Sequence, residues 1–178
     1  ENVFYGFYFI VIFMCGLVIL VVPLLAKVLL KGAFYNAWRY VPVLIIATCL
    51  NCFSIYFGTL YNAAKKNSMI FFSTLLGAIT NVSVCLLLVP RIGIWGACGA
   101  SVCGYLVIVM IRIVDTRKII KIPISKRFVL GNFCILALEA VSMAFGTGTM
   151  MLIAGSLFAL ISIMCIYQFH TKIHRLWS

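Results

Sequence analysis

The chain has 178 residues, of which 65% are hydrophobic and 10% charged, with a formal charge of +11. A soluble domain carries about a quarter charged residues, so this composition excludes a water-soluble globular fold. The basic excess does not mark nucleic acid, because every Lys and Arg falls at the edge of an apolar run or between runs. The expected fold class is an all-α membrane protein, since helices satisfy their own backbone groups in lipid.

Six apolar runs long enough to cross a hydrocarbon core follow one another. The first covers about 4–26 and opens on Phe4, Tyr5, Phe7 and Tyr8. The chain starts at Glu1 and no basic residue precedes this run, so it does not read as a signal peptide. The expectation is a piece of a longer protein.

The second run covers about 41–62, follows Trp38, and holds Asn51 between Cys49 and Cys52. A Cys-x-x-Cys pair suggests redox or metal chemistry. A metal site needs more ligands, and the two histidines, His170 and His174, stand at the far end of the chain. All eight Cys lie in apolar runs and read as small apolar fillers. No metal and no cofactor is expected.

The third run, about 69–89, spaces Ser73, Gly77, Asn81 and Cys85 by four. The fourth, about 94–114, does the same with Gly96, Ala100 and Gly104. In lipid, small residues let helix backbones approach and polar ones bond across. With a tight turn at Pro90 and Gly93 between them, the two runs are predicted to pack as a hairpin through these small faces. The spacing of Gly93, Gly96 and Gly99 fits neither a dinucleotide fingerprint nor a P-loop. Asn81-Val82-Ser83 matches a glycosylation acceptor, but that motif needs an accessible loop. Two readings of Asn81 stay open: a group lining a substrate cavity, and a hydrogen bond to a neighbouring helix. Asn51 is a second cavity candidate, on polarity alone.

The fifth run, about 128–145, contains Glu139, and the sixth covers about 150–169. A charge at a span's centre costs roughly 2.5–3.5 kcal/mol on the insertion scale, and the apolar residues of this run offset it by only roughly 3–5. Glu139 therefore faces protein or carries a proton. It is a candidate for ion coupling, against a packing role as a hydrogen-bonded acid. The other acids are Glu1 and Asp115, so no catalytic dyad or triad forms and no enzyme is expected.

Ten basic residues fall on one side of the alternating runs and four on the other. The ten are Lys65, Lys66, Arg112, Arg117, Lys118, Lys121, Lys126, Arg127, Lys172 and Arg175; the four are Lys27, Lys31, Arg39 and Arg91. The richer side is expected to be cytoplasmic, with the C-terminus inside. On this reading no Lys or Arg lies deep within a run.

The order of features across "LYNAAKKNSMIFFSTLLGAITNVSVCLLLVPRIGIWGACGASVCGYL" (60–106) resembles the C-terminal half of polysaccharide flippases of the multidrug/oligosaccharidyl-lipid/polysaccharide exporter superfamily. The marks are the polar "NAAKKN" loop, Gly77 and Asn81, then Leu88-Val89-Pro90, then Gly93 with Gly96-Ala97 and the "RIVDTRK" exit (112–118). Upstream, 21–44 looks like the loop that precedes the second helix of this half. The resemblance implies two six-helix lobes with two extra C-terminal helices. Residues 1–120 would be four helices of the second lobe, and 121–178 a basic loop and the added pair.

It further implies translocation of an oligosaccharide on a polyprenyl pyrophosphate across a bacterial cytoplasmic (inner) membrane, by alternating access. The implied partners are that lipid-linked oligosaccharide, the lipid bilayer, a missing N-terminal lobe of the same protein and a polysaccharide polymerase. A basic cavity meets the pyrophosphate in the family. Here only Lys27, near a helix end, would serve from within the chain. The alternatives are an exporter of drugs or other lipid precursors, and a membrane scaffold subunit without cargo. The orientation predicts that residues 115–127 are protected from membrane-impermeant reagents added to intact cells. Modification of single cysteines placed there checks it, and labelling from outside reverses the topology.

Overall fold

The computed structural model describes residues 2–29, 37–65, 67–119, 126–145 and 155–160. Among these the chain is helical without strands. The helices are α1 (Asn2–Leu29), α2 (Val41–Ala63), α3 (Asn67–Ile92), α4 (Ile94–Ile119) and α5 (Lys126–Phe145). A single 3-10 turn, 37–40, leads into α2, and 155–160 is helical. The long apolar runs carry few helix breakers, so every backbone group inside them finds its partner four residues away.

Four of these helices, α1 to α4, are long and apolar enough to cross a membrane. This is fewer than the six spans expected. In α5 the apolar stretch among the described residues is Gly131–Ala144, shorter than the roughly 17 residues a span needs. The sixth run lies largely outside the described residues. α1 continues through Pro23 and past the expected end near 26, to Leu29, over part of the stretch 21–44 that the family likeness compared to a loop.

The chain groups into two compact units. Unit 1 comprises residues Glu1–Pro42 and Ile124–Ser178. In it α1 packs on α5. The buried positions of α1 include Tyr8, Ile12, Cys15, Ile19, Val22 and Ala26, and those of α5 include Asn132, Leu136, Glu139 and Met143. Both sets repeat by threes and fours, the spacing of a stripe on one helix face. The 155–160 segment joins them through Phe158, whose ring lies 5.5 Å from that of Phe13.

Unit 2 comprises Val43–Pro123. Its tightest pairing is the α3–α4 hairpin. The turn was expected at Pro90 and Gly93, but α3 runs through Pro90 to Ile92 and turns at Gly93 alone. Pro lacks only its own N–H there, one turn from the helix end, whereas Gly93 adopts φ +60, which glycine enters without steric cost. Its N–H reaches the Val89 carbonyl at 2.9 Å, and its carbonyl accepts from Gly96 N–H at 2.9 Å. One residue thus ends one helix and starts the next.

Beyond the turn the arms are held at glycine distance. A Cβ on Gly96 would stand 2.7 Å from the Leu88 carbonyl carbon, and one on Gly104 would stand 3.0 Å from the Gly77 carbonyl oxygen. Ala100, between them, is fully buried. By contrast a Cβ on Gly99 meets nothing within 4 Å. Gly96→Ala is therefore expected to destabilise the protein by about 1–3 kcal/mol, since backbone cannot rotate away from the added methyl. Gly99→Ala is expected to be neutral or slightly stabilising, because alanine favours helix. Unfolding of the full-length protein in mixed micelles measures both.

Candidate functional site

The most organised polar site in unit 2 centres on Arg112. The sequence placed this arginine at a membrane edge, with no cation inside a span. The structure shows in addition that its side chain is buried in the protein. Arg112 lies within the candidate span Ile94–Thr116 and is 4% exposed. The helix runs past the expected boundary near 114, to Ile119.

Three helices share its guanidinium. Nε donates to Ser73 Oγ at 3.0 Å. Nη1 donates to the Ser54 carbonyl and to Ser54 Oγ. Nη2 donates to Thr74 Oγ1 at 3.0 Å and to the Ile70 carbonyl at 3.4 Å. An arginine has five side-chain N–H donors, so each has an acceptor. The acceptors are prepared for this. Ser73 and Thr74 send their own hydroxyl protons back to the Ile70 carbonyl, at 3.0 and 2.8 Å, which leaves their lone pairs facing the cation. Gly58 makes the room: a Cβ there would lie 3.1 Å from Nη1. Tyr61, buried on the same helix, donates to the Arg112 carbonyl at 3.4 Å.

The site thus binds α2 and α4 to α3 through one side chain. Its acceptors are hydroxyls and backbone carbonyls. Removing a partner from a buried charge costs several kcal/mol, so the cluster stands or falls together.

Thr74 also borders a groove of about 280 Å³ between α3 and α4. Gly77 and Gly104 form its floor, and Asn81, Tyr105 and Ile108 stand along it. Asn81, one of the two cavity candidates, is half-buried here. A Cβ on Gly104 would come within 2.9 Å of Asn81 Cβ, so the asparagine rests on the glycine. Its amide makes no side-chain hydrogen bond among the described residues. Asn51, the other candidate, is half-buried on α2 and is not part of this lining. Glu139 belongs to unit 1, fully buried on α5. Among the described residues no cluster of three or more His, Cys, Asp or Glu side chains is placed to hold a metal.

No protein-family model, no curated protein and no solved structure matches this chain.

Arg112, Ser54 and Asn132 were missed in the sequence. The signal for Arg112 was present: it is flanked by "VIVMI" before and "IV" after, and hydroxyls stand at Ser73 and Thr74 on the preceding run. Nothing in a single sequence says that these meet. Lysine offers three donors on a point charge in place of the planar fork. Arg112→Lys should leave at least two acceptors short, at about 1–3 kcal/mol each. The thermal midpoint of the full-length protein should fall clearly, whereas Arg91→Lys, at an exposed position, should leave it unchanged.

Proposed function

We propose that this chain is the C-terminal part of a flippase that carries a polyprenyl-pyrophosphate-linked oligosaccharide across a bacterial cytoplasmic membrane by alternating access. The observation that carries the reading is the order of marks between residues 60 and 118. These marks fall on one folded element. The "NAAKKN" loop is the α2–α3 turn, Gly77 and Asn81 lie on the packed face of α3, and Gly96 sits at the start of α4 against α3. Four helices able to span a membrane support a multi-pass protein. In this reading the C-terminus is cytoplasmic and Arg112 lies on the inner-leaflet side.

Arg112 is not the pyrophosphate ligand in this reading. Its five donors are already engaged and it is buried. It serves as scaffold, and the anionic headgroup is left to basic residues of the first lobe. Asn81 and its groove are the polar feature of this chain open to a cargo or to a helix of that lobe.

Deleting the gene in its own organism tests the reading. The expected result is loss of surface polysaccharide, with the lipid-linked oligosaccharide accumulating on the cytoplasmic face of the membrane. Normal surface polysaccharide together with a changed drug sensitivity would overturn it in favour of an exporter with another cargo.

A further inference from the structure

Unit 1 holds a second polar feature, and it is built differently from the Arg112 cluster. Glu139 and Asn132 are both 0% exposed. They stand seven residues apart on the same buried face of α5, with Leu136, also 0% exposed, between them. Both carboxyl oxygens of Glu139 and both amide atoms of Asn132 lack a hydrogen-bond partner among the described residues. Leaving a buried polar group unpaired costs about 1–3 kcal/mol. An ionisable group kept buried in an apolar helix at such a cost points to a functional role.

The surroundings decide which role. Gly16 of α1 lies against the carboxyl: a Cβ there would be 3.3 Å from Glu139 Oε2 and 2.9 Å from Phe158 Cδ2. The glycine makes room for both side chains. Among the described residues no counter-charge is close. The other titratable side chains of α1 are Tyr5, Tyr8, Cys15 and Lys27, and Lys27 is exposed, roughly 16 Å further along the helix. On α5 they are Lys126, Arg127 and Cys134, and Cys134 is exposed. Lys126 and Arg127 lie roughly 18 Å before Glu139 along the axis. The 155–160 segment has none. Among the described residues an ionised carboxylate here has no compensating charge, which is strongly unfavourable. A hard metal ion would need six or so oxygen ligands, and Gly16 and Phe158 bring no side-chain oxygen. The species this pocket suits is a proton.

We propose that Glu139 is a proton-exchange site. Its carboxyl holds a proton in the closed packing of unit 1 and releases it to water that enters along the Asn132 face. The O–H bond breaks, the proton passes to water as hydronium, and the carboxylate remains; reprotonation restores the acid, and no other reactant is needed. Asn132, roughly 10 Å along the same face, offers a donor and an acceptor to water on that route. In a transporter this exchange supplies the coupling ion. That use rests on the reading above, but the exchange itself requires no cargo.

Infrared spectroscopy of the full-length protein in lipid vesicles at neutral pH tests it, with wild type and Glu139→Gln compared in H2O and D2O. The expected result is a protonated-carboxyl carbonyl band that is lost in the variant and shifts in D2O. Carboxylate bands alone would overturn the proposal by showing a charged Glu139. A protonated band that does not move in D2O would overturn it too, leaving a static packing acid. Should Glu139→Gln fail to accumulate, Glu139→Asp retains a carboxyl whose displaced band gives the same assignment. The spectra do not depend on which cargo is carried, so failure of the flippase reading would leave them unchanged.

Discussion

Everything in unit 2 follows from the way Arg112 is solvated. A guanidinium inside an apolar helix cannot draw on water, so the protein supplies five acceptors from two other helices. This fixes the rotation of α2 and α3 about α4, because only one face of each carries the required oxygens. The same demand explains Gly58, which clears space for Nη1, and the hydroxyls of Ser73 and Thr74, whose protons are turned toward Ile70. Lipid gives helices little reason to associate by burying oil. Here association comes from backbone proximity at Gly77, Gly96 and Gly104 and from one shared cation.

The two units solve the problem of buried polarity in opposite ways. In unit 2 the charge is surrounded by acceptors and so is held in place. In unit 1 the carboxyl of Glu139 and the amide of Asn132 are buried without such partners among the described residues. The first arrangement stabilises a single packing. The second retains a cost that the fold would relieve by admitting water.

Much of this architecture was legible in the sequence, and the reasons are physical. Apolar run length reports helices because a bilayer sets the length. Four-residue spacing of Ser73, Gly77 and Asn81 reports one helix face, and the structure places that face against Gly104. The fates of Pro90 and Arg112 were not legible. Whether a proline ends a helix depends on how close the end already is, and Gly93 decided that. Whether an arginine stays at the edge depends on acceptors from segments 38 to 58 residues away, which no local pattern encodes. The lack of partners at Glu139 among the described residues was likewise invisible, since it is a property of α1 at Gly16 as much as of α5.

The account rests most heavily on the claim that Arg112 ties α2 to α4. A double-mutant cycle between Ser54→Ala and Arg112→Met, read from reversible unfolding of the full-length protein, measures that tie alone. A hydrogen bond to a buried charge contributes about 1.5–3 kcal/mol, so the account predicts a coupling energy of at least about 1.5 kcal/mol. Additivity to within about 0.5 kcal/mol, the behaviour of independent sites, would contradict it.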